Sequence, residues 1–122
     1  MRLSDFGWEV LMATSTEDDY GLHEIVDIGR RYFRTASLEE LRSGARLVLD
    51  RLLTDGFIKL YRRSSEDRTT TELTPNEVQA ALASPDSWKV PAKGEDELVV
   101  GATELGEKLY YSEYRSPRGR EW

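Results

Sequence analysis

The sequence predicts an α+β fold in which three helices precede a β-hairpin and a further helix follows it. The main observation lies in residues 37–63, where a helix with a defined start and end runs into a strand. Ser37 and Glu40 have the spacing of a capping box, and apolar residues then recur with helical period. Gly56 suits the left-handed conformation that ends many helices. The segment 57–63 is rich in β-forming residues, which completes a helix, turn and strand.

Two more helices are predicted before this stretch. Ser4 is a suitable N-cap for a first helix that reaches about Ala13. Apolar residues then recur with helical period from Tyr20 to Phe33, and Gly29 on that face is either a close helix crossing or a tolerated glycine. The aromatic residues on the apolar faces are predicted to be core: Trp8, Tyr20, Tyr32, Phe33, Phe57 and Tyr61.

The strand after the third helix has a delayed partner. Residues 63–71 are polar and predict a loop, and Thr74-Pro75-Asn76-Glu77 then carries the signals of a helix start. Trp88 and Val90 are expected to pack this insertion against the rest of the domain. Residues 98–102 form the returning strand.

Thr103 is predicted to cap a last helix, Glu104–Tyr111, with Leu105, Leu109 and Tyr110 facing inward. These elements give one domain over residues 1–111, with an insertion at 64–97. Residues 112–122 contain Gly and Pro interruptions and predict a flexible tail.

Composition limits the classes of function. The 122 residues carry a net charge of −6, which opposes non-specific attraction to nucleic acid or to an anionic membrane. No apolar run approaches the length of a membrane span, and the N-terminus lacks the apolar core of a signal peptide, so a cytoplasmic location is expected. The absence of cysteine excludes disulfides and thiolate metal sites.

The charge is unevenly distributed along the chain. Residues 30–63 hold nine basic residues against four acidic ones, whereas acids dominate on both sides of this segment. Basic side chains on helices contact phosphates or acidic protein patches, or they form local salt bridges such as Arg46 with Asp50. The candidate macromolecule-binding residues are Arg30, Arg31, Arg34, Arg42, Arg46, Lys59, Arg62 and Arg63.

Signals for catalysis or metal binding are sparse. Asp19, His23 and Asp27 have the spacing of one helix face, with Glu24 nearby, but no second histidine or cysteine completes a tetrahedral site. An exposed acidic face with an ordinary histidine is the simpler interpretation. No nucleophile motif, phosphate-binding loop or dinucleotide fingerprint is present, so we expect a non-enzymatic protein without a cofactor or metal.

Four short motifs carry a resemblance to a known family. Trp8–Met12 looks like its first apolar helix, and Tyr20-Gly21-Leu22-His23-Glu24-Ile25 is similar to the segment that opens its second helix. Leu52–Ile58 looks like its exit from the recognition helix, and Ala102-Thr103-Glu104-Leu105-Gly106 is similar to its Leu-Thr-Glu-x-Gly signature. The chain thus resembles winged-helix proteins, most nearly the PadR-like transcriptional regulators. This resemblance implies a winged helix-turn-helix with a two-stranded wing, and a DNA-binding, dimeric regulator.

Two features depart from the family pattern. The wing holds a long acidic insertion, and the recognition helix begins with Glu39 and Glu40, which would face phosphates in a DNA complex. We therefore expect a winged-helix recognition module that binds a protein partner or a second copy of itself. A small DNA-binding regulator, using Arg42, Arg46 and the basic residues of the wing, is the alternative.

Overall fold

A computed structural model of the chain describes residues 3–114, and within them five α-helices and a four-stranded antiparallel sheet form an α+β fold. The predicted fold class is confirmed at this level. The helices are α1 (Asp5–Thr16), α2 (Leu22–Arg30), α3 (Leu38–Thr54), α4 (Pro75–Ala83) and α5 (Glu104–Leu109). The strands are β1 (Tyr20–Gly21), β2 (Ile58–Arg63), β3 (Thr70–Glu72) and β4 (Glu97–Ala102). A 3₁₀ turn spans Pro85–Trp88, and a π-helical turn spans Tyr110–Tyr114.

The sheet order is β1-β4-β2-β3. Strand β2 pairs with β4 along its whole length, so the strand before the insertion and the strand after it are neighbours, as the sequence predicted. Leu60 lies opposite Val100, and both side chains are buried in the core. Helices α1, α2, α3 and α5 contact strands of this sheet.

The prediction of a two-stranded hairpin with a polar loop at residues 63–71 was wrong. Residues 70–72 form β3, which returns after a short loop and pairs antiparallel with β2, so that Arg63 lies opposite Thr70. Strand β1 adds a fourth member by pairing with β4. All three side chains of β3 are exposed, so its sequence has no apolar alternation, and only the neighbouring strand orders it.

The first two helices have different bounds from the predicted ones. Helix α1 starts from the Ser4 cap but continues to Thr16, where the Thr14 and Thr16 hydroxyls donate to carbonyls one turn earlier. Helix α2 begins only at Leu22, since Tyr20 and Gly21 belong to β1, and it ends at Arg30.

Part of the aromatic core prediction was also wrong. Phe57 is buried, but Tyr32 and Phe33 lie beyond the end of α2 and are 40% and 50% exposed. Both rings instead contact the Phe6 ring, with centroids 6.2 and 6.3 Å away. A Cβ atom on Gly29 would lie 3.1 Å from Phe6 Cζ, so this glycine does permit a close helix crossing.

Helix α3 has the predicted start and end. The Glu40 backbone N–H donates to Ser37 Oγ (3.1 Å), and the Ser37 backbone N–H donates to Glu40 Oε1 (2.9 Å). Gly56 has a φ of +80°, which places it in the left-handed region as predicted.

Replacing Ser37 with alanine is expected to lower the free energy of unfolding by about 1 kcal/mol, because one N-terminal N–H of α3 loses its acceptor. Urea unfolding followed by circular dichroism would measure the loss. Ser43→Ala is the matched control, because Ser43 is exposed in the middle of α3, where alanine is at least as favourable. An equal loss in both variants would contradict the capping role.

The same cap makes stability depend on pH. The hydrogen bonds from the Ser37 backbone N–H and hydroxyl hold the pKa of Glu40 below its ordinary value of 4.5. The stabilisation is therefore complete above that value and is lost as pH falls through the lower folded-state pKa. Glu40→Gln should remove this part of the acid dependence.

The C-terminal part of the domain is also partly revised. Tyr110 faces inward as predicted, but Leu105 is 53% exposed. The helical path continues through Tyr114, so residues 112–114 of the segment that was predicted to be a flexible tail are helical, and residues 115–122 lie outside the described residues. None of the described helices combines the length and apolar character that a bilayer span requires.

Candidate functional site

Helix α3 turns one side toward the core and the opposite side toward solvent. Leu41, Ala45 and Leu49 are buried, whereas Leu47 is 72% exposed. We define the α3 solvent face by five of the exposed residues of the helix, which recur at helical spacing: Glu40, Ser43, Leu47, Arg51 and Thr54. The face therefore has an apolar centre and a polar surround.

The charges on α3 and its C-cap nearly cancel. Two of the three expected local pairs form: Arg46 Nε lies 3.8 Å from Asp50 Oδ2, and Arg51 Nε lies 3.9 Å from Asp55 Oδ2. The third, Glu39 with Arg42, does not form. Such exposed pairs contribute little to stability, but they neutralise the arginines. Because four carboxylates accompany three arginines between residues 38 and 55, this helix has no excess of positive charge.

Five of the eight predicted basic residues have acidic partners. A basic side chain that is already paired with a carboxylate is less available to neutralise a phosphate. The pairs are Arg30 with Asp27, Arg31 with Glu9, Arg46 with Asp50, Lys59 with Glu72, and Arg63 with both Asp19 and Glu97. Arg34, Arg42 and Arg62 form no ion pair with any residue in the range 3–114.

The structure brings these basic residues together only in part. Arg31 and Arg34 share one hollow with Glu40. Arg42 and Arg46 share a second with Glu39. Each of the remaining three residues, Lys59, Arg62 and Arg63, lines a separate hollow. The two glutamates that begin α3 thus sit beside the arginines and are not turned away from them.

The insertion closes one side of α3. Trp88 is buried, and its Nε1 donates to the Leu82 carbonyl (3.1 Å) at the end of α4. Arg42 and Arg46 line a hollow of about 320 Å³ together with Leu82 and Trp88. Arg42 Nε is buried there and meets no hydrogen-bond partner among the described residues. Val90, which was predicted to anchor the insertion with Trp88, is instead 72% exposed.

The predicted acidic helix face around His23 does not form. Asp19 precedes α2 and pairs with Arg63, while Asp27 is exposed and pairs with Arg30. His23 instead meets Glu24 and Glu97, and one nitrogen or oxygen atom from each lies within 4.8 Å of the others.

Asp19 sits at the edge of this acidic cluster. Its pKa is raised, first by burial and then by repulsion from the neighbouring Asp18, and attraction to Arg63 opposes the rise. Arg63, whose side chain is 13% exposed, therefore joins two carboxylates that come from different parts of the chain.

Two residues were missed by the sequence analysis. The sequence does indicate that Leu47 is exposed, because this leucine lies outside the apolar stripe of its own helix. No sequence pattern indicates Glu97, because only the pairing of β1 with β4 brings it beside His23.

Comparisons with known proteins add no relative. No family model matches the chain, and neither the curated proteins nor the solved structures give a match. Function is therefore inferred from the geometry alone.

Proposed function

We propose that this chain is a non-enzymatic recognition module of winged-helix type, which binds a protein partner or a second copy of itself through the α3 solvent face. The observation that carries the proposal is Leu47, which is 72% exposed at the centre of that face. The order of three helices, a strand and a distant returning strand supports the winged-helix frame. The expectation of a cytoplasmic location belongs to the same proposal.

Charge favours a protein partner over DNA. A duplex would meet an α3 that carries more carboxylates than arginines, in a chain of net charge −6. Most DNA-binding affinity comes from basic residues that neutralise phosphates, and here five of the eight candidates are already paired. Paired charges around an apolar residue instead match the polar rim and apolar centre of a protein interface.

The insertion adds a second wall to the proposed surface. The end of α4 and the 3₁₀ turn lie beside α3, so that Leu82 and Trp88 border the arginines Arg42 and Arg46. Arginine and tryptophan are common at the energetic centres of protein interfaces.

Site-specific photocrosslinking tests the proposal. A photoreactive residue at position 43 should yield a discrete protein adduct in the host cell, since Ser43 is exposed one turn from Leu47. Leu47→Glu should reduce the adduct at least about tenfold, because a charge then replaces the apolar centre.

Val90→Glu is the matched control, because Val90 is equally exposed and lies on the insertion. It should leave the adduct unchanged. An adduct that persists in Leu47→Glu, or the absence of any adduct, would contradict the proposed surface. A mass twice that of the chain would identify self-association.

The alternative is a small DNA-binding regulator of PadR-like type. It is favoured by one observation, namely that Arg34 and Arg42 form no ion pair in the described part of the chain, while Arg62 has only a longer-range attraction to Glu77. Fluorescence anisotropy with random duplex DNA at two salt concentrations separates the two proposals. Salt-sensitive binding that is lost in an Arg42→Ala/Arg46→Ala double variant would establish DNA binding, whereas no binding at low salt would exclude it.

A further inference from the structure

The cluster of His23, Glu24 and Glu97 joins two distant parts of the chain. His23 and Glu24 lie in the first turn of α2, and Glu97 begins β4. One imidazole nitrogen and two carboxylate oxygens converge within 4.8 Å of one another. We propose that these three residues bind a first-row divalent transition-metal ion such as Zn²⁺.

The donor set determines the class of ion. An imidazole suits Zn²⁺, Ni²⁺, Cu²⁺ and Fe²⁺ better than Mg²⁺ or Ca²⁺, which take oxygen ligands. Zinc binds nitrogen and oxygen at about 2.0–2.2 Å, so the three ligand atoms need to close by about 1 Å around the ion. Side-chain rotation supplies such a shift. Three protein ligands leave at least one position for water.

The glutamates are held in place by neighbouring groups. The Gly21 backbone N–H donates to Glu24 Oε1 (3.0 Å), which fixes one oxygen and leaves the other available. Glu97 Oε2 lies 3.8 Å from His23 Nδ1, while its Oε1 lies 3.8 Å from Arg63 Nη1. The two oxygens of Glu97 thus have separate roles, one toward the site and one toward its supporting arginine.

Gly21 makes the convergence sterically feasible. A Cβ atom at this position would lie 2.5 Å from Glu97 Oε2 and 2.9 Å from His23 Nδ1. Any larger residue would therefore displace both side chains from their present positions. Because Gly21 has no side chain, the imidazole of His23 and the carboxylate of Glu97 both lie close to the backbone of β1.

Charge and access also favour a cation. The two hollows that reach the site are lined by four carboxylates and four basic side chains, and Asp19 and Glu24 add two more carboxylates. This leaves an excess of negative charge that a divalent ion neutralises. His23 and Glu97 have side chains that are 22% and 21% exposed. Two hollows, each of about 360 Å³, reach both residues from solvent.

The test is a Zn²⁺ titration of the full chain, prepared without a histidine tag and treated with a chelator. The chain contains one histidine and no cysteine, so a single imidazole signal in the NMR spectrum reports the site directly. We expect saturable 1:1 binding by calorimetry and a shift of the His23 ring resonances that follows the same curve.

Three variants test the geometry. His23→Ala should abolish the binding. Glu97→Gln and Gly21→Ala should each weaken it at least about tenfold, the first by removing a ligand and the second by displacing two. Asp27→Asn is the control, since Asp27 is exposed one turn beyond His23 and pairs with Arg30; it should bind normally.

Two results would overturn the proposal. One is a His23 ring signal that does not move at millimolar Zn²⁺. The other is binding that Glu97→Gln and Gly21→Ala leave unchanged. Circular dichroism without metal checks that each variant is folded, and if His23→Ala unfolds, Gly21→Ala remains decisive because it keeps every ligand.

Discussion

Trp88→Ala is expected to lower the free energy of unfolding by about 3–5 kcal/mol, the usual cost of removing a buried tryptophan. The Trp88 ring is buried in the core, and the 3₁₀ turn that carries it contacts both α2 and α4. The indole is therefore one anchor of the insertion, beside the buried Leu73 and Leu82, and its loss should loosen the packing of α4. Urea unfolding followed by circular dichroism measures the change.

Two variants separate packing from hydrogen bonding at this position. Trp88→Phe keeps most of the apolar contact but leaves the Leu82 carbonyl without its Nε1 donor, so a smaller loss of about 1–2 kcal/mol is expected. Val90→Ala, two residues further along an exposed stretch, should change stability by less than about 0.5 kcal/mol. A Trp88→Ala variant as stable as Val90→Ala would show that the insertion does not depend on this contact.

Gly106→Ala is expected to cost about 3 kcal/mol, although alanine is the better helix former. A Cβ atom on Gly106 would lie 2.0 Å from the Phe57 carbonyl oxygen and 2.9 Å from its carbon. Because these are backbone atoms, rotation of a side chain cannot relieve the overlap. Helix α5 would have to move away from the turn that follows α3.

Gly44→Ala is the matched control, because Gly44 lies within α3 and a Cβ there would meet no atom within 4 Å. It should stabilise the protein by about 0.5–1 kcal/mol through helix propensity. Urea midpoints should therefore move in opposite directions for the two glycines. A stabilised Gly106→Ala variant would contradict the close contact.

The contact at Gly106 also gives a physical reason for the Thr-Glu-x-Gly segment. The Thr103 backbone N–H donates to the Phe57 carbonyl (3.0 Å), and Thr103 Oγ1 donates to the Gly56 carbonyl (2.6 Å). The same Oγ1 accepts from the Gly106 N–H (3.0 Å). Threonine thus joins the start of α5 to the end of the α3 segment, and glycine allows the approach.

The starts of α1, α3, α4 and α5 were predictable because their capping interactions are local, whereas α2 begins two residues later than predicted. Ser4, Ser37, Thr74 and Thr103 were each predicted as N-caps, and each side chain accepts a backbone N–H three residues later. Such a contact requires only a suitable side chain three residues before the backbone N–H that it accepts, and both can be read from the sequence. The glycine that ends α3 was predictable for the same reason.

The candidate sites depend on contacts between distant residues. His23 meets Glu97 only because β1 pairs with β4, and Arg42 borders Trp88 only because the insertion folds back beside α3. Periodicity placed Leu105, Tyr32 and Phe33 inside, yet the ends of α2 and α5 leave them partly exposed.

The sequence by itself determined the capped helices, the glycine turn and the α+β class, since these rest on contacts within a few residues. The tertiary structure alone decided the four-stranded sheet, the partners of Arg31 and Arg63, and the His23–Glu97 approach. Those features join segments tens of residues apart, and their formation depends on which surfaces the core leaves available.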